Sequence, residues 1–512
     1  MLRLLLLLAA GAAVPAAAQV APEAVSPDAR RALGITTDAG AALWARGRAD
    51  MLAFQLDSAR AAFRRLDAAE PASAAGVLGL ESAALWQALV AEVEPFPSQF
   101  YALSDSLARV ADALPATPEG DLVRATAALH RALMLGHEEK YARAGLAFRD
   151  ACGQFRALPT DGPAGVPDAL FGQGLCEVAA GSVPSRYRWL GRLFGFSGTV
   201  AGGIDKLGRA AAGPGAMALE ATAAFAVSDA TLNERRAGGL ERLGVATAAR
   251  PGSPALAYLR ATYLIADRRT DEAEANLRRA VAALARPGAA PLPLVDASLG
   301  SVLFRQDRFA EALPLLGRFA RTYRGRALLA QTTLLAGLAA EMTGDRRAAE
   351  AFYDRVRAAR DYDTDRAALR EAALRRAAPM TPAARTLLLG QTAADSGRLD
   401  EAVRRLQPVL TDAALPDAAR AEAAYRTARA YQASGRTAEA VRHFELAAAR
   451  PGDPLARWGP WSVYHVGDSH EAAGRAGDAR TAYRAALADD SAYDFHTSLE
   501  QRARTALARL DA

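Results

Sequence analysis

The amino-acid sequence predicts an all-α solenoid of antiparallel helical hairpins. Two observations predict it. Ala, Leu and Arg dominate the 512 residues, and all three favour helices, while β-branched and aromatic residues are too sparse for a large sheet. In addition, one set of small and large residues recurs six times in the second half of the chain, at the spacing of a helical hairpin.

Residues 1–18 read as a signal peptide. Arg3 is followed by the apolar run Leu4 to Ala13, then Pro15 and the small-residue pattern Ala16-Ala17-Ala18. The run is too short to cross a bilayer, which needs about 20 residues, and no Cys follows it to accept a lipid. The expectation is cleavage near Gln19 and an exported, periplasmic or secreted protein; an uncleaved anchor is the alternative. The net charge is +5, and Arg alternates with Asp and Glu along most segments, as on solvated helix faces. No basic run suggests a nucleic-acid groove.

Residues 28–160 read as N-terminal helical hairpins. Gly40 to Ser73 fits one hairpin, with Trp44, Gly47 and Met51 on its first helix and Ala59 and Phe63 on its second. The motif EPFP splits the next two helices, because Pro disrupts a helix interior. Further on, Tyr141, Ala144, Phe148 and Ala151 form one apolar stripe. Cys152 and Cys176 lie on two helices joined by a Pro/Gly loop. The expected state is two small buried thiols; a disulfide is the alternative, open to whichever helix register occurs.

Residues 167–250 form a glycine-rich, aromatic segment joining two helical blocks. Residues 253–490 form a six-unit array. Its units align on Ala273, Ala312, Ala349, Ala402, Ala440 and Ala479, at spacings of 39, 37, 53, 38 and 39. Twelve residues before each stands Ala261, Gly300, Gly337, Gly390, Ala428 or Gly467. Four residues after each stands Leu277, Leu316, Tyr353, Leu406, Phe444 or Tyr483. A turn glycine recurs at Gly344, Gly397, Gly435 and Gly474. The small residues allow close helix approach, and the large one is expected to fill space toward the next hairpin. The long interval holds an extra helix near 364–378. Residues 492–512 read as a capping helix, with Leu499, Ala503, Ala506, Leu507 and Leu510 on one face.

This frame resembles the tetratricopeptide repeat, which implies a right-handed superhelix and a concave groove lined by first helices. The segment around Phe171 narrows the resemblance. It has GQGLC on a helix, then Pro184, an aromatic-basic stretch, GFSG at Gly195 to Gly198, and Gly203 before Leu207. That order is similar to the family of the fungal inclusion-body clearance protein, its animal tetratricopeptide-repeat relatives and bacterial exported homologues. The resemblance implies a helical scaffold without established catalysis. The eukaryotic members are intracellular, so the export signal sets this chain apart from them.

The glycines at 172, 174, 195, 198, 202 and 203 follow no strand, so they do not form a dinucleotide loop. GDSH at Gly467 to His470 lies on a repeat helix, not on the sharp turn a nucleophile needs. The six histidines include no pair at metal-ligating helical spacing and read as surface or packing residues. No cofactor, metal site or enzymatic activity is expected. The stretch 185–196, SRYRWLGRLFGF, could form an interfacial membrane helix, but packing beneath the array is the favoured reading. The expected binding residues lie on the concave face: Arg305, Gln391, Tyr425, Arg429, Trp461, Tyr464 and Asp468. They suit a protein or peptide partner, with Tyr and Trp beside Arg as anchors; Trp458 and Trp461 sealing the last repeat is the structural alternative. The functional expectation is an exported, non-catalytic scaffold for protein–protein interaction. A solute-binding protein holding a glycan or lipid is the alternative.

Overall fold

In the computed structural model, the residues described are 25–162, 165–182, 198–232, 236–357, 363–450, 457–489, 493 and 495–511. Segment 1–18, read above as a signal peptide, and the aromatic-basic stretch 185–196 lie outside them. The described residues are helical with no strand, and they divide into two compact units. One comprises residues up to Asp267 with Ala275–Val295; the other comprises Arg268–Glu274 with Asp296–Ala512.

The first unit opens with the short α1 (Pro27–Leu33). Hairpins follow: α2 (Asp38–Leu52) with α3 (Leu56–Ala69), α4 (Ala75–Ala91) with α5 (Phe96–Ala113), and α6 (Pro118–His137) with α7 (Tyr141–Ala157). Then come α8 (Ala169–Gly181) with α9 (Val200–Ala212), α10 (Ala218–Leu232) with α11 (Ala237–Ala249), and α12 (Pro254–Ala266). Several starts are fixed by hydroxyl caps. Thr37, Thr117, Thr199 and Ser253 each accept a hydrogen bond from a first-turn N–H of the following helix. The α2 start is braced further by Glu70, which accepts hydrogen bonds from the N–H and hydroxyl groups of both Thr36 and Thr37. Burial works against that carboxylate, but the four hydrogen bonds pull it down to about 2.

This unit closes on itself. The Ser253 hydroxyl, at the start of α12, donates to the Leu52 carbonyl at the end of α2 (3.0 Å). The Ala290 N–H donates to the Phe54 carbonyl (2.7 Å). The last inner helix thus returns to the first, with α2, α4, α6, α8, α10 and α12 as the inner members of their hairpins.

α13 (Thr270–Leu284) and α14 (Pro293–Arg305) have residues in both units. The second unit continues with α15 (Phe309–Thr322), α16 (Leu329–Met342), α17 (Arg346–Tyr353) and the extra helix α18 (Asp363–Ala377). It is completed by α19 (Pro382–Asp395), α20 (Leu399–Thr411), α21 (Asp417–Ala433), α22 (Thr437–Ala448), α23 (Trp458–Ala472), α24 (Ala476–Leu487) and α25 (His496–Leu510). On α25, Leu499, Ala503 and Ala506 are buried, while Leu507 and Leu510 are half-buried at the edge. Its end is fastened by Arg509, which donates to Glu471 of α23, and by Asp511, which accepts from Arg480 of α24.

The repeat frame has a definite packing role. All six recurring alanines are fully buried, and the large residues four positions later are buried as well. The large residue lies over the early small residue of its own hairpin, and it also reaches the next one where Phe444 stacks on His465. A methyl group added at Gly300, Gly337, Gly390 or Gly467 would come within 2.4–2.8 Å of Leu316, Tyr353, Leu406 or Tyr483 respectively. The small residue is small because a side chain already occupies its space. Between the helices, Gly344, Gly397, Gly435 and Gly474 take the left-handed conformation. In the first two units of the array, Arg268 (φ 61°) and Asp307 (φ 63°) do the same at that position.

The frame also extends beyond the six predicted units. In α2/α3 it reads Gly47, left-handed Phe54, Ala59, Phe63; in α6/α7 it reads Ala132, left-handed Glu139, Ala144, Phe148. Phe63 fits between Gly47 and Gly79, so one fully buried ring joins α2, α3 and α4. The stripe expected on α7 is only partly buried. Tyr141 is 53% exposed, and the inward edge is instead Ala144, Ala151, Cys152 and Phe155.

The two cysteines correct the sequence reading. Cys152 on α7 and Cys176 on α8 form a disulfide, with Cα atoms 5.7 Å apart. The helix register that the sequence left open brings them together. The glycines of GQGLC explain the close fit. Gly172 faces the Phe155 ring of α7, and Gly174 faces Gly203 and Leu207 of α9. A side chain at either glycine would push α8 off one neighbour.

Candidate functional site

The expected binding residues fall in the second unit. Gln391 (α19), Arg429 (α21) and Asp468 (α23) each follow the early small residue of a hairpin directly. They therefore occupy one frame position on three first helices, and all three are half-buried. Hydrogen bonds link Arg429 to Asp468 through Gln432, while Gln391 bonds within its own helix. Gln391 donates to Asp395, Arg429 donates to Gln432 (2.6 Å), and Gln432 donates to Asp468 (2.8 Å). Glu471 accepts from Tyr483 (2.7 Å) and Arg509 (2.7 and 2.9 Å). Arg305, at the end of α14, is also half-buried.

The expected aromatic anchors are placed differently. Tyr425, Trp461 and Tyr464 are buried, with Tyr464 only 6% exposed. Their rings surround His465 at centroid distances of 5.2–6.0 Å, with Phe444 stacked on it at 5.2 Å. The Arg429 guanidinium lies 3.4 Å from both imidazole nitrogens. Trp458 packs on Tyr425 beneath Arg426 and Arg457. These aromatics form the packed interior of the last two hairpins, which corrects the expectation that Trp461 and Tyr464 stand open to a partner. Burial and the Arg429 charge push the His465 imidazole down to about 3, so the ring is neutral. Burial works against the Asp468 carboxylate, but His465, Arg429 and Gln432 hold it below the usual range.

A second cluster lies in the first unit. Five inner-helix positions converge: Arg48 (α2), Glu81 (α4), His130 (α6), Asp168 (before α8) and Glu220 (α10). Glu81, His130, Asp168 and Glu220 are buried. His130 Nδ1 is 2.7 Å from Glu81 Oε2. Arg48 pairs with Glu220 at 2.5 Å. Asp168 accepts from the Ala216 N–H (2.9 Å) and the Met217 N–H (2.7 Å). Glu81 Oε1 and Glu220 Oε2 are buried without a hydrogen-bond partner. Burial alone would lower His130, but the Glu81 carboxylate raises it. Burial pushes Asp168 up to about 6, against its two backbone donors, and the Glu220 charge adds to the rise. The sequence reading took His130 for a surface or packing residue. Its partner stands 49 positions away, so no local motif marks the pair.

Elsewhere, Gly467 of GDSH packs on Tyr483, and the Ser469 hydroxyl is buried without a hydrogen bond. Among the described residues no group of His, Cys, Asp and Glu has metal-binding geometry, and no helix is long and apolar enough to cross a membrane.

The small, left-handed, small and large positions of these stacked hairpins define the class: a tetratricopeptide-like helical repeat protein. No protein-family model matches the chain, and the search of curated proteins found no match. Among solved structures it is similar to yeast Tom70, at 12% identity over 86% of this chain and 91% of that one, with a TM-score of 0.31. It is also similar to a Rap protein complexed with competence and sporulation factor (11% identity, 85% and 99% covered, TM-score 0.31). A third is the human IFIT1 dimer with PPP-AAAA (15% identity, 86% and 94% covered, TM-score 0.30). At these values the chains superpose loosely, and the fold assignment rests on the hairpin packing itself.

Proposed function

We propose that this chain is an exported, non-catalytic scaffold that captures a protein or peptide partner along the first helices of its second unit. One observation carries the reading: Gln391, Arg429 and Asp468 share a frame position on successive hairpins and all remain partly open. An extended partner laid across the hairpins would meet one polar side chain per repeat. The buried aromatics beneath hold that row rigid, and rigid presentation lowers the ordering cost of binding. Non-catalytic function agrees with the placement of Ser469 and His465 inside the packed hairpins. Export is supported by the signal-like segment 1–18 and by the disulfide, since such bonds persist in oxidising compartments. The G-x-G contacts of α8 suit the segment that the family of the inclusion-body clearance protein has in common.

Site-specific photo-crosslinking in the native cell tests the binding reading. A crosslinker at Gln391 or Asp468 is expected to trap a discrete partner, whereas one at Arg404 or Arg484, on the exposed sides of second helices, is not. Crosslinks from the second-helix positions alone would overturn it. N-terminal sequencing of the native protein tests export: a chain beginning near Gln19 in the envelope or medium is expected, and an intact Met1 in the cytosol would refute it.

A further inference from the structure

We propose that the first unit is a proton-loaded ring: protons held at Asp168 and His130 fasten its closure, so the ring tightens as pH falls and loosens as pH rises. The inference rests on the ionic centre and on the Ser253–Leu52 and Ala290–Phe54 seam. It is independent of the proposed binding row.

The charge balance of the centre gives the reason. Each of its five groups belongs to a different inner-helix position. With both protons bound, the carboxylates of Glu81 and Glu220 face the cations of His130 and Arg48, and Asp168 is neutral. With both protons lost, three carboxylates face one guanidinium. Unbalanced charge in a buried site is costly, because little solvent screens it. The repulsion acts between α4, α10 and the start of α8, against hairpins that are otherwise packed side by side. The seam is the point of closure, where two hydrogen bonds join residues 201 and 236 positions apart in sequence. Arg48 and the seam residue Leu52 sit one turn apart on α2, so strain at the Arg48–Glu220 pair reaches the seam directly.

The charged groups bearing on His130 are Glu81, Glu220 and Arg48; those bearing on Asp168 are Glu220 and Arg48. His137, on the same helix as His130, lies 3.4 Å from Glu92 at the end of α4 and adds a second histidine–glutamate tie between α4 and α6. Other charges stand on the neighbouring inner helices. Asp50 meets Arg46 and Ser58, Asp229 lies toward Gly238, and Arg260 toward Gly244. Both titrating groups have a higher proton affinity in the folded chain than in the unfolded one. Their contribution to stability is therefore present at low pH and lost as pH rises, through about 6 for Asp168 and above 6.5 for His130.

Hydrogen exchange of the full chain tests this, read at about pH 5.5 and about pH 8 and corrected for intrinsic exchange. Amides of Ala49–Leu56 and Arg250–Leu256 are expected to open several-fold less at the lower pH. Amides of α23 and α24, in the other unit, are the contrast: with His465 disfavouring its proton there, they should not open less at the lower pH. In His130→Gln and Asp168→Asn the seam's pH dependence should shrink. Should either variant fail to fold, the wild-type chain still decides: the His130 imidazole, followed by NMR, must titrate above 6.5. Seam amides that open equally at both pH values, or less at the higher one, would overturn the proposal. So would a His130 that titrates below 6.5.

Discussion

Two buried histidines, one in each unit, show how the same side chain is put to opposite use. His130 faces a carboxylate it can pair with, so burial is overridden and the imidazolium is favoured. His465 faces four aromatic rings and an arginine, so burial and Arg429 act together and the ring stays neutral. The first unit gathers unlike charges on its inner helices. The second fills the interior of its last two hairpins with rings and leaves Arg429 and Asp468 at the rim there. Burial does not set a histidine's charge by itself; the partner brought in from another hairpin does.

The difference can be attacked most strongly through packing. Phe63→Ala removes the ring that joins α2, α3 and α4 and should cost about 4 kcal/mol. Its loss should appear as raised hydrogen exchange in the first unit, with α23 and α24 little changed. Cys152→Ser opens the disulfide and should destabilise the same unit by about 3 kcal/mol in denaturant unfolding. For His465, the folded chain disfavours the proton, so its stabilising effect is present above 6.5 and lost on acidification. The second unit should weaken by about 2 kcal/mol between about pH 7 and pH 5, and His465→Leu should flatten that slope. A second unit that gained stability over this range would erase the contrast with the first. The smallest effect concerns Leu328, an exposed residue at φ 59° before α16. Leu328→Gly should raise the thermal midpoint slightly, by about 1 kcal/mol of stability, because glycine takes that conformation without strain.

Most of the fold was legible because its signals are local. The recurring small and large positions lie within one hairpin, so their spacing survives in the sequence whatever the hairpins do next. The frame was missed in α6/α7 partly because Glu139 stands where the array has glycine; in α2/α3 Phe54 stands there, and the hairpin was read from Gly47, Ala59 and Phe63 alone. The same substitution at Arg268 and Asp307 hid the turn in the first two repeats. Non-local facts were not legible. The disulfide depended on the rotation of α7 against α8. The ionic centre depended on five residues between positions 48 and 220, each unremarked among its neighbours. Of the expected site, Gln391, Arg429 and Asp468 are partly open because they sit one step past the packed small residue. Tyr425 and Tyr464 are buried because each sits three residues before that small position, on the side of the helix that faces the packed interior.

The Cys152–Cys176 bond has a consequence for how this protein would age outside a cell. Between its two cysteines runs the loop from Leu158 to Asp168, including the left-handed Gly162. A protease that nicked this loop would sever the backbone but not the molecule. The two pieces would migrate as one band without reductant and separate with it, and α7 would stay pinned to α8 after the cut.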